Sequence, residues 1–412
     1  MSAAAAARLF AVFAAGYFLS YFLRSANAVI APTLQREVGL SPADLGFMTG
    51  GFFAAYAASQ LPVGLALDRF GPRLVAGGLM ALGALGCAVF AIGNDLATLT
   101  VGRVLLGVGL GSVLLAGLKA FSLWWPPQRF ATVSGVYFAT GSLGALAAAT
   151  PLALLEAALG WRTAFWVFAL AVLLVTLLVL GATPRGGGRA GQVDARSAAP
   201  DPALRSDLAR LMLYGAAFTG PVLAFQTLWA GPLLFDVFGY DTLRTGNLLL
   251  LLSLGVTLGY AASGALADRF GLTRVSAAAL LVFALTQFLL AAQLAWTLPL
   301  LLPLFGFAGG HCILALSNAR ARVGASRSGR ATGTVNAASI GGVFALQWAV
   351  GVVVGQAPDP AAGFRWALLA TGLVSLLAWA AYLPLARRLR GPPRRGPVVD
   401  QANDATAAGS SS

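Results

Sequence analysis

Read along the chain, the sequence is a succession of apolar runs about twenty residues long, separated by short polar breaks. A run of that length crosses a ~30 Å hydrocarbon core as a helix. Lipid leaves no water to pair backbone groups, so only helices or closed barrels can span it. Barrel strands alternate polar and apolar residues over about ten positions, and these runs are uniformly apolar. Twelve spans can be drawn, near 9–34, 45–67, 74–93, 98–122, 131–153, 162–182, 209–235, 245–267, 274–293, 296–319, 331–355 and 364–385. The longest polar interior stretch, 184–207, is rich in Gly, Pro, Arg and Asp and reads as a flexible linker. The pattern therefore predicts an all-α membrane protein built of a six-helix half at 1–183, a cytoplasmic linker at 184–207, a second six-helix half at 208–386 and a disordered cytoplasmic tail at 387–412.

The two halves repeat one another. At an offset of 200 residues Pro32 meets Pro232, Gly39 meets Gly239 and Gly46 meets Gly246. In the same register Asp68-Arg69-Phe70-Gly71 meets Asp268-Arg269-Phe270-Gly271, and Gly141 meets Gly341. One matching tetrapeptide could arise by chance, but a constant register across most of both halves marks a structural repeat.

Composition sharpens this picture. The chain is 58% hydrophobic and 10% charged, and its net charge is +13. That charge could suggest a nucleic-acid partner, but the basic residues form no single patch. Of the 27 basic residues, twenty fall in the N-terminus, alternate loops and the tail. Four (Arg36, Arg162, Arg244, Arg365) fall in the intervening loops, and Arg24, Arg103 and Lys119 lie inside apolar runs. This is the asymmetry of a bacterial inner-membrane protein with both termini in the cytoplasm, and it excludes nucleic acid as the expected partner. The lipid bilayer is the partner the charge serves.

The loop Gly64-Leu-Ala-Leu-Asp68-Arg69-Phe-Gly71-Pro-Arg73, repeated as Gly264 to Arg274, resembles the signature GxxxD(R/K)xGx(R/K) of the major facilitator superfamily. Arg103 followed by Gly107, Gly109 and Gly111 resembles that superfamily's second signature. The resemblance implies two pseudo-symmetric six-helix bundles with a site at their interface, working by alternating access. It also implies that Asp68, Arg69, Arg73, Asp268, Arg269 and Arg274 act at a cytoplasmic gate, Asp68 pairing there with an arginine or a helix end. More locally, Gly16-Tyr17 and Leu23-Arg24 are similar to the first helix of the organophosphate:phosphate antiporters, where an arginine binds the anionic substrate. The matching arginine of the seventh helix is absent here.

Candidate site residues follow from polar groups inside apolar runs. An arginine at mid-depth costs at least ~2.5–3.5 kcal/mol, so Arg24 needs water, a partner or a function. Tyr17, Tyr21 and Arg24 share a helical face, with Asn27 nearby. The repeat equivalent of Arg24 is Ala224, beside Gln226 and Trp229. His311 is the only histidine; it and Asn318 are seven residues apart on one face, as are Ser112 and Lys119. His311 would either touch substrate or carry a coupling proton, or else pack against a neighbouring helix. Arg103 would support coupling or reach toward the surface. None of the fourteen acidic residues lies at mid-membrane, and a cationic substrate would want one there.

The expected substrate is thus a small organic or inorganic anion, moved by a secondary transporter acting as a monomer. A multidrug or metabolite exporter and a non-transporting receptor or scaffold remain as alternatives. No catalytic constellation appears and no enzyme activity is expected. One histidine and two separated cysteines, Cys87 and Cys312, build no usual metal site, and no phosphate-cradling loop is present. No cofactor is expected.

Overall fold

The computed structural model describes residues 2–184, 202–323 and 328–389. Most of the expected linker and tail lies outside these residues. Among the described residues there are helices and no strands. Ten helices are long and apolar enough to cross a membrane, and a shorter apolar helix covers Val136–Ala147. One of the ten, Pro42–Ile92, holds two spans, because its backbone leaves helical geometry at Gly71. Among the described residues the total is the expected twelve.

The breaks between spans come from local chemistry. Gly71 and Gly271 have φ of 77° and 91°, a region that a Cβ makes costly. Both signature loops therefore turn at the same repeat position. Ser41 and Asp44 form a capping box at the start of span two. Asp95, Asp241 and Asp359 cap spans four, eight and twelve by accepting backbone N–H groups. These acids sit at the span ends opposite the termini, where they satisfy helix starts.

Polar chemistry also interrupts some spans midway. Span one runs as Ala3–Ser25 and Asn27–Val38, broken at Ala26. At the same repeat register, span seven passes from Pro202–Ala224 into a π-helical turn, Phe225–Trp229. Span ten is Leu298–Gly310, a 3₁₀ turn at His311–Ile313, then Leu314–Val323. Irregular backbone at membrane depth is tolerated where protein surrounds it or a cavity adjoins it.

The two halves meet tightly at the end opposite the termini. A side chain at Gly231 would collide with the Ala28 carbonyl, and one at Gly46 with the Gln347 carbonyl, so both must be glycine for this approach. Phe47 packs edge-on against Phe344 and Trp348, with centroids 6.3 and 6.2 Å apart. Thr150 donates to Asn247 across the interface at 2.9 Å. That end is closed. From mid-depth toward the other end the halves separate around a cavity.

Candidate functional site

The cavity has a volume of about 490 Å³ and takes wall residues from both halves. Span one supplies Tyr17, Tyr21 and Arg24 because these positions fall on one helical face. Tyr56 of span two and Tyr260 of span eight face them, with Ser142, Thr219 and Asn336 among the other polar wall residues. Leu114, Phe138, Leu223 and Ile340 make much of the remainder apolar. Among the described residues no Asp or Glu lines it.

Arg24 is buried, with its guanidinium carbon 3.6 Å from the centroid of the Tyr21 ring. That contact attracts a cation to the ring face but accepts no N–H in the plane of the fork. Among the described residues Arg24 forms no ion pair, and its Nε is buried without a hydrogen-bond partner. The Tyr17 hydroxyl is likewise buried and unpartnered. Tyr17 is held in place by stacking on Tyr137, whose hydroxyl donates to the Val113 carbonyl at 2.8 Å.

Four other expected site residues lie elsewhere. Asn27 is fully buried and donates to Thr49 Oγ1 at 2.7 Å, within the closed end. Trp229 donates to the Gln347 carbonyl at 3.0 Å and lies under Gly46, plugging that end. Gln226 faces Ser253 at 3.4 Å. Asn27 lies three residues further toward the closed end than Arg24, and the π turn at 225–229 interrupts the regular helical spacing of Gln226 and Trp229. His311 is buried, its Nδ1 2.8 Å from the Phe307 carbonyl, and borders an apolar groove between spans eight, nine and ten, not the central cavity. Its face-mate Asn318 explains why: Asn318 donates to Ser276 and accepts from Tyr382, on spans nine and twelve. The adjoining Cys312, about 120° further around the 3₁₀ turn, lines the cavity instead.

The other intramembrane basic groups are engaged. Arg103 is fully buried and donates to the carbonyls of Leu23 at 2.9 Å and Arg24 at 3.5 Å. Those are among the last carbonyls of the broken first helix, which lack full intrahelical pairing. It neither reaches the surface nor faces the cavity. Lys119 pairs with Asp68 at 2.8 Å, so the partner of Asp68 is a lysine of its own half, not an arginine. Arg73 donates to the Leu180 carbonyl at 2.7 Å, while Arg69 and Arg269 lie over Phe70 and Phe270 at 5.2 and 5.4 Å. Asp268 and Arg274 are exposed. None of these contacts bridges the halves, as expected where the halves are apart.

Tyr56 and Tyr260 were not singled out from sequence. Their signal is position: tyrosine usually marks the membrane interface, and these two sit well inside apolar spans.

Sequence comparison agrees with the geometry. The Major Facilitator Superfamily profile matches residues 13–345, and the chain belongs to that superfamily. It is 31% identical over 162 residues to a probable sulfoacetate transporter of Cupriavidus necator, covering 39% of this chain and 38% of that one. It is 30% identical over 128 residues to a nitrate/nitrite transporter of Picosynechococcus, covering 31% and 24%. With a galacturonate transporter of Dickeya chrysanthemi it shares 31% over 150 residues, covering 36% and 44%. The chain thus aligns with less than half the length of each of these relatives. In fold it is similar to a bacterial homologue of the human lysosomal transporter Spinster in an inward-facing, occupied conformation. There the TM-score is 0.75 at 17% identity, covering 95% of this chain and 100% of that one.

Proposed function

We propose that the protein is a secondary transporter that carries a small anion by alternating access, with Arg24 taking the substrate's negative charge. The observation that carries this reading is a buried guanidinium that, among the described residues, has no anionic partner and lines a cavity with no carboxylate in its wall. Arginine stays protonated when desolvated and offers a planar fork matched to carboxylate-like oxygens. Tyr17, whose buried hydroxyl forms no hydrogen bond, borders the same cavity. The names of the relatives, for sulfoacetate, nitrate and galacturonate, point to the same chemistry.

With the termini in the inner-membrane cytoplasm, as the arginine asymmetry implies, the structure is the inward-facing state. Closing the cytoplasmic end would bring the two signature loops together, which assigns Asp68, Arg69, Arg73, Asp268, Arg269 and Arg274 to that gate. Alternation then rocks one half against the other around a fixed midplane site.

The test is counterflow in proteoliposomes with nitrate, galacturonate and sulfoacetate as probes, at matched protein levels. Arg24→Ala should abolish exchange, and Arg24→Lys should weaken it severely because an ammonium lacks the fork. Exchange by Arg24→Ala at the wild-type rate would remove Arg24 from the substrate site.

A further inference from the structure

Among the described residues, the cavity wall contains one permanent charge, that of Arg24. Lys119 is held by Asp68, and Arg103 is turned to the carbonyls of span one. The second half offers no counterpart. Ala224 occupies the repeat position of Arg24 and is fully buried, and span seven contributes Thr219 and Leu223 to the wall instead. Arg24 itself has limited room for ligands: Tyr21 covers its face and its Nε is buried, which leaves the terminal nitrogens of the fork for the cavity. Those two nitrogens hold two oxygens of one acid group side by side.

Resting on the reading of Arg24 as the anion site, we infer that the cavity selects singly charged anions, carboxylates or sulfonates with an uncharged, hydroxylated body, and rejects dianions of the same shape. In the inward-facing state water can solvate a second negative charge. Alternation requires both ends to close around the substrate, and a second charge would then lie among Leu114, Phe138, Leu223 and Ile340 with no cation to meet it. The remaining polar wall groups are mostly hydroxyls with one amide, Tyr17, Tyr56, Tyr260, Ser142, Thr219 and Asn336 among them. They suit the hydroxyls of a substrate body, not a second acid group. Two of the relatives fall on opposite sides of this distinction, since galacturonate carries one charge at neutral pH and sulfoacetate two.

The experiment is counterflow near neutral pH in proteoliposomes holding the purified full chain, which requires closure around the substrate, with ligand pairs that differ by one charge. Suitable pairs are galacturonate with galactarate, sulfoacetamide with sulfoacetate, and succinamate with succinate. In each pair that exchanges, the monoanion should exchange at least about tenfold faster, and Arg24→Ala should lose it. Asn336→Lys places a second cation in the wall and should shift the ratio toward the dianion by about tenfold or more. Arg24-dependent exchange in which dianions equal or exceed their partners would overturn charge selection while leaving the anion site standing. A folded Asn336→Lys variant with an unchanged ratio would do the same. Absence of any Arg24-dependent exchange by either member of every pair would overturn both readings.

Discussion

Two buried arginines meet at the break in span one, and they are employed in opposite ways. Arg103 comes from span four and spends its terminal nitrogens on the carbonyls of Leu23 and Arg24. Arg24 belongs to the broken helix itself and lies against the face of Tyr21. Both leave Nε without a partner, but only Arg24 borders the cavity. Residue type and depth therefore do not separate a structural from a functional cation in a membrane. What separates them is whether fixed acceptors already surround the fork. Arg103 positions the first helix, and through the Arg24 carbonyl it also helps hold the segment that presents Arg24.

The comparison breaks most sharply at Arg24. Removing one partner of a desolvated charge pair costs about 2–5 kcal/mol, so Arg24→Ala should lower anion affinity from roughly 30-fold to several-thousand-fold. Its thermal stability without ligand should not fall, because an uncompensated intramembrane charge has been removed. Equilibrium binding beside a melting curve checks both parts.

Arg103→Ala should do the reverse. Leaving the Leu23 and Arg24 carbonyls without their donor costs about 1–3 kcal/mol of stability, read as a lower Tm in detergent. Anion affinity of the folded fraction should fall less than in Arg24→Ala. A variant with wild-type Tm and no binding would place Arg103 in the site instead.

Tyr21 sharpens the contrast at a smaller scale. A cation–π contact contributes about 0.5–2 kcal/mol. Tyr21→Ala should therefore weaken anion binding several-fold by letting the guanidinium move, whereas Tyr21→Phe keeps the ring face and should stay close to wild type. Equal losses in both variants would assign the effect to the hydroxyl.

The smallest effect is expected outside the membrane, at Glu37. Its carboxylate accepts from Trp161 Nε1 at 2.8 Å and Arg162 Nη1 at 2.6 Å. The Trp161 hydrogen bond foremost, then that of Arg162 with its charge, holds the Glu37 pKa below the ordinary value. A lowered carboxylate pKa adds stability that is present above the unfolded-state pKa and is lost as pH falls through the folded one. The pair is partly exposed and screened, so the contribution is small. Glu37→Gln should melt slightly below wild type at neutral pH, and the difference should vanish in acid.

Much of the fold was legible because lipid permits so few solutions. Apolar runs of span length and the 200-residue repeat were enough for twelve helices in two halves, and Gly71 and Gly271 turn the chain where the repeat placed them. The face Tyr17–Tyr21–Arg24 was legible for the same reason, since helical spacing survives from sequence to structure. Asn27 lies off the cavity because it is nearer the closed end, and Gln226 and Trp229 because of the π turn Phe225–Trp229, which no spacing rule foretells. His311 was ambiguous because the partners of its face, Ser276 and Tyr382, come from distant spans. Lys119 and Asp68 are 51 residues apart, so their pairing needed the packing of span two on span four.

The central claim is that the unpaired guanidinium of Arg24 is what an anion binds. The most direct measurement is the ligand-induced rise in Tm for wild type, Arg24→Ala and Arg103→Ala, with galacturonate and nitrate as probes. A ligand at about 100 times its Kd stabilises the folded state by about 2.7 kcal/mol, which is well resolved. The account predicts a clear rise for wild type, a rise from a lower baseline for Arg103→Ala, and none for Arg24→Ala. A full rise in Arg24→Ala would contradict it.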